Sequence, residues 1–110
     1  MSNNQTIKIH GWTARFISNV HMYTHQLTFE NANQTFDIPC EELPKETCSG
    51  IWLDHSKLPK DKYIEIMDIV AYLSDITGIQ FKVYTEGRNN TVILPKKMPP
   101  KKWWQKAFSI

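Results

Sequence analysis

The chain has 110 residues, 41% of them hydrophobic and 22% charged, which is ordinary usage for one globular domain with a single core. That length excludes a two-domain dinucleotide enzyme or a (β/α)8 barrel, and no apolar run approaches the roughly 18–20 residues that span a bilayer. The formal charge of +2 hides a segregation, because residues 37–75 hold nine acids against four lysines whereas residues 76–110 hold seven bases against Glu86 alone.

The opening Met-Ser-Asn-Asn-Gln-Thr has neither the basic head nor the apolar stretch of a secretory signal, so a cytoplasmic protein is expected. Ile7 to Phe16 alternates as a strand whose faces switch at Gly11, the pattern of a β-bulge. Val20 to Phe29 reads as a second strand with Tyr23, Leu27 and Phe29 on one face. Asn31 to Gln34 is a turn, Thr35 to Ile38 returns as the partner of a hairpin, and Pro39 ends it. Residues 39–50 are acidic and lack a period, so they read as a loop, followed by a short apolar strand at Ile51-Trp52-Leu53.

The strongest element is a helix over 59–77, opened by Pro59 and closed by Gly78. On a helical wheel Asp61, Glu65, Asp68, Tyr72 and Asp75 share a narrow stripe. Tyr63, Ile66, Met67, Val70 and Leu73 lie opposite, and Ile64, Ile69, Ala71 and Ile76 flank the stripe. Ile79 to Tyr84 and Thr91 to Leu94 then form a last hairpin. The predicted fold is α+β, a mainly antiparallel sheet of about five to six strands with the helix packed on one face. Residues 1–95 make the domain, and residues 96–110 a basic, aromatic tail.

Constellations that carry chemistry are sparse. Cys40 and Cys48 lack the paired spacing of a zinc finger, and they read as free thiols. His21 and His25 lie within the strand-like run, about 13 Å apart at strand spacing and too far to share an ion. Asp54-His55-Ser56 has the residue types of a hydrolase triad, but consecutive side chains point in different directions. No Walker, nucleophile-elbow or dinucleotide motif is present. Neither an enzyme, a cofactor nor a metal site is expected.

What remains is charge and aromatic surface. The acids Asp61, Glu65, Asp68 and Asp75, with Tyr72, are reinforced in the preceding loop by Glu41, Glu42 and Glu46. Together they are expected to form a docking face for a basic protein partner. The concrete version is an inhibitor or immunity-type protein that occludes a nucleic-acid-handling toxin. The alternative is a nucleic-acid or membrane-surface adaptor using Lys101, Lys102, Trp103, Trp104 and Phe108 of the tail. A third outcome is that the tail folds back on the domain, with its lysines near Asp68 and Asp75.

The stretch from Tyr63 through Gly78 to Phe81, followed by a turn and Thr91-Val92-Ile93-Leu94, resembles the helix-glycine-hairpin part of secretin N-terminal modules. It covers about a third of the chain, and the first fifty residues do not fit that family. The resemblance implies an envelope assembly module.

Overall fold

Residues with a left-handed backbone punctuate the first half of the chain. The computed structural model describes residues 4–85 and 91–98. His10 (φ 55°) and Gly11 (φ 81°) form a two-residue turn between β1 (Asn4–Ile9) and β2 (Trp12–His21). The apparent switch of faces at Gly11 is therefore a hairpin turn and not a bulge within one strand. Asn19 (φ 52°) and Met22 (φ 51°) bend the chain again before β3 (Thr24–Glu30). The run Val20 to Phe29, read as one strand, is thus split by a second turn. Leu27 and Phe29 face the core, whereas Tyr23 is exposed at the turn.

The hairpin to β4 (Thr35–Asp37) is closed as expected, with the Asn31 side chain accepting the backbone N–H groups of Asn33 and Gln34. Pro39 breaks the returning strand, which resumes as β5 (Cys40–Leu43), so β4 and β5 pair in succession along one edge of β3. β6 (Cys48–Trp52) follows through a turn at Thr47. Residues 39–50, expected to be a loop, are mostly strand. β7 (Phe81–Tyr84) and β8 (Thr91–Ile93) complete a sheet of order β1-β2-β3-β5-β6-β7-β8, with β4 beside β3. Among the described residues the strands number eight, more than the five or six expected. The α+β class and the mostly antiparallel pairing stand, with β6 and β7 parallel.

The helix α1 (Tyr63–Thr77) makes the crossover between those two parallel strands. Its first turn, Lys60–Lys62, is a 3-10 turn, so the α-helix starts later than the position of Pro59 suggested. Gly78 (φ 73°) caps the other end, its N–H bonding to Ser74 O. Ile66, Ile69, Val70 and Leu73 are fully buried, with Tyr63 and Met67 packed against the core at its margin.

The sheet curls round this helix. Both edge strands, β1 and β8, touch α1. Phe16 on β2 and Phe81 on β7 meet edge-to-face with centroids 5.5 Å apart, although β3, β5 and β6 lie between their strands in the sheet. The concave face carries the core. The convex face carries Thr24, Glu41, Gly50, Trp52, Lys82 and Tyr84, as the period-two alternation requires. Among the described residues no helix is long and apolar enough to cross a membrane.

Candidate functional site

The acids of α1 do not form one open stripe. Asp61 and Asp75 are exposed, and Glu65 stands 3.9 Å from Lys62. Asp68 is bound from two directions: Lys96 Nζ donates to Oδ1 at 2.8 Å, and His10 Nε2 stands 2.9 Å from Oδ2. The hydrogen bond from Lys96 holds this carboxyl below its usual range, with partial burial opposing and His10 assisting. Asp68 thereby ties the β1–β2 turn and the chain beyond β8 to the same helix. Tyr72, placed among these acids by the wheel, is only 5% exposed. The chain after β8 crosses that side of the helix, where Lys96 N–H bonds to Ala71 O and its ammonium lies 5.2 Å from the Tyr72 ring centroid.

Glu41, Glu42 and Glu46 belong to the sheet. Glu41 and Glu42 lie on β5, and Glu46 is in the turn that follows. Glu46 accepts from Tyr84 Oη at 3.0 Å and from Lys82 Nζ at 3.4 Å. The tyrosine hydrogen bond leads in pulling its carboxyl below the usual range, and the Lys82 hydrogen bond comes second. Glu42 accepts from Asn19 Nδ2 at 3.3 Å. Among the described residues no hydrogen bond or ion pair engages the Glu41 side chain, which is exposed.

Next to these acids is the tip of the β2–β3 hairpin. Val20, Met22 and Tyr23 are 49%, 73% and 56% exposed, and Glu42 N–H bonds to Tyr23 O at 2.7 Å. The tip is braced from within, since Asn19 Nδ2 donates to Met22 O and the Asn19 N–H donates to His25 Nδ1, both at 2.9 Å. Sequence reasoning missed it because Val20-His21-Met22-Tyr23 lacks the Gly that usually marks a tight turn. The available signal was Asn19, a residue that tolerates the left-handed region.

His25 lies buried beneath the tip, beside a cavity of about 530 Å3 bordered by Ser18, Glu42, Thr47, Cys48 and Ser49. His21 and His25 belong to different strands and are not spaced along one. Because a backbone amide can only donate, Nδ1 is the acceptor and the His25 proton resides on Nε2, which faces Ser49 Oγ at 3.1 Å. In that tautomer the ring gives Ser49 a hydrogen bond and cannot take its proton, so the pair braces the strands and does not generate a nucleophile. Burial lowers the His25 pKa, and Glu42 opposes this.

The cysteines are both free. Cys40 points into the core, where burial and then Glu41 push its thiol up to about 12. The Cys48 thiol is also raised, by burial first and then by Glu46. Neither is poised as a thiolate. The run Asp54-His55-Ser56 is occupied locally, with Tyr63 Oη donating to Asp54 at 2.8 Å and Ser56 Oγ donating to Leu53 O at 2.6 Å. No cluster of three or more His, Cys, Asp or Glu is placed to hold a metal ion among the described residues.

Lys101, Lys102, Trp103, Trp104 and Phe108 lie outside the described residues. Of the segment from residue 96 onward, Lys96 and Met98 are seen against the domain. Comparison of the chain with protein-family models, with curated proteins and with solved structures finds no match.

Proposed function

We propose that this chain is a non-catalytic protein-binding module that docks a basic partner through the β2–β3 tip and the acids of β5. The observation that carries this reading is the braced, exposed trio Val20, Met22 and Tyr23 at the end of the hairpin, where Tyr23 O bonds to Glu42 N–H and the next residue, Thr24, pairs with Glu41. Apolar anchors inside a charged rim are the anatomy of a protein interface, and Met and Tyr are enriched there. Asp61 and Asp75 add long-range attraction for a basic surface. The concrete form proposed is an inhibitor or immunity-type protein that covers a basic, nucleic-acid-handling site, as in a toxin nuclease.

The test is affinity capture from the source cells, followed by binding kinetics with the purified partner. Met22→Ser and Tyr23→Ser should each weaken the complex by roughly 30-fold, the effect of losing an interface anchor of about 2 kcal/mol. Glu41→Lys with Glu42→Lys should slow association and flatten its salt dependence. A partner that tolerates all four changes, yet is lost when residues 99–110 are removed, would overturn the reading in favour of the tail.

A further inference from the structure

A feature of the convex face specifies what such a basic partner inserts. Across β3, β5 and β6 the structure leaves an open pocket of about 400 Å3, bordered by Thr24, Pro39, Glu41, Trp52 and His55. This lies in the size range of ligand pockets, roughly 300–1,000 Å3. We propose that it is an arginine slot, in which a guanidinium from the partner stacks on Trp52 and pairs with Glu41.

The Trp52 ring is fixed before any ligand arrives. Tyr84 stacks on it at 5.1 Å with the ring planes 8° from parallel, and Tyr84 is itself held by Glu46. Gly50 lies beneath, where a Cβ would come within 2.6 Å of the indole, so the missing side chain lets the ring lie along the strand. On the opposite side from β7, Trp52 N–H bonds to Pro39 O, and the pocket opens on that side.

Register supplies the carboxylate. Glu41 pairs with Gly50, so Glu41 and Trp52 share a face as diagonal neighbours, about 7–8 Å apart between Cα atoms. A planar guanidinium spans such a gap, one face on the indole and its edge N–H groups on the carboxylate, whereas an ammonium offers only a point charge. Glu41 is exposed and has no hydrogen-bonded or ion-paired partner among the described residues, so its charge is available. The same sheet face already holds one such arrangement within the chain. Lys82 Nζ lies 5.5 Å from the Tyr84 ring centroid and 3.4 Å from Glu46. The pocket repeats that pattern of an aromatic ring beside a carboxylate, here Trp52 and Glu41. Cys40, also at its border, is buried and keeps its proton, so it adds no competing thiolate chemistry.

This inference rests on the basic-partner reading, and its test is kept separate by using the isolated full chain. The 15N-labelled protein is titrated with N-acetyl-arginine amide to about 20 mM, well above the millimolar dissociation constant expected of one side chain. The Trp52 indole N–H, assigned with Trp52→Phe, and the amides of Thr24 and Glu41 should shift together. N-acetyl-citrulline amide, which has the same shape without the charge, should leave them unmoved. Glu41→Gln should weaken the arginine titration about twofold to fivefold, the size of one exposed charge contact. An unmoved Trp52 indole, equal shifts with citrulline or with a neutral sugar such as maltose, or an unaffected titration in Glu41→Gln overturns the slot. Failure here, with partner capture still sensitive to Met22 and Tyr23, removes the slot and leaves the docking surface. Arginine binding at Trp52, with partner capture indifferent to the tip and to β5, removes the docking surface and leaves the slot.

Discussion

Mild acid is expected to loosen this protein through His25. The imidazole is 5% exposed, packs on Phe16 with centroids 5.2 Å apart, and accepts the Asn19 N–H on Nδ1. Burial lowers its folded-state pKa below the ordinary 6.5, with Glu42 opposing. As pH falls through about 6.5 the unfolded chain therefore takes up a proton that the folded chain refuses, and stability is lost until the lower folded value is passed. With the folded ring neutral throughout, the loss between about pH 7.5 and 5.5 reaches its ceiling of about 1.4 kcal/mol. Protonating Nδ1 instead removes the acceptor of the Asn19 N–H, a loss of about 1 kcal/mol. Either route lowers Tm by roughly 4–10 °C at the sensitivity of a domain this size. The assay is urea and thermal unfolding across that range, with His25→Leu alongside. The variant lacks both hydrogen bonds and is less stable at every pH, but it has no imidazole at this position to titrate. The gap between the two proteins should therefore narrow as pH falls. Parallel curves, or a gap that widens in acid, would refute the reasoning.

Leu73→Ala should cost on the order of 2–5 kcal/mol, because the side chain is fully buried at the centre of the helix–sheet contact; denaturant unfolding measures it, and a loss below about 0.5 kcal/mol contradicts that packing. Asp68→Asn should cost about 1 kcal/mol or less, since both its ion-pair partners are exposed. The Asp68 carboxyl is held below 3.8, so its contribution is complete above that value and disappears as acid takes the pH through the lowered one. Equal stabilities of wild type and Asp68→Asn at neutral pH would show that the double tether carries no energy.

The helix and the last hairpin were legible because their signals are local: an apolar face at helical spacing, Gly78 at the end, and two alternating runs. The strands at Cys40–Leu43 and Cys48–Trp52 were not, for a physical reason. β5 turns Glu41 to the convex face and Glu42 toward the rim of the sheet, so its sequence shows two acids where a half-buried strand would show alternation. Backbone pairing with β3 and β6, invisible in composition, makes it a strand. The wheel gave Asp68 and Tyr72 to solvent because it treats the helix in isolation. What covers that side is Lys96, which follows α1 by nearly twenty residues. The acids at Glu41, Glu42 and Glu46 were identified from charge alone, but their apolar neighbours at the hairpin tip emerge only when two turns bring Tyr23 against Glu42. Trp52 was read as part of an apolar run, and its platform role depends on Tyr84 from another strand.

The parallel pairing of β6 with β7 also predicts an order of assembly. Ile51 and Val83 meet across a separation of 32 positions, whereas β1, β2 and β3 pair through tight turns. Closing the longer span costs about 2 kcal/mol more in chain entropy than closing a loop of four residues. The β1–β3 meander is therefore expected to come together early, with β7 and β8 joining once α1 has docked and shortened the gap. Run backwards, the same ranking makes β7 and β8 the limb that detaches first. Their amides should exchange with solvent ahead of those in β2 and β3, a gradient of opening that begins beside the stacked rings of Trp52 and Tyr84.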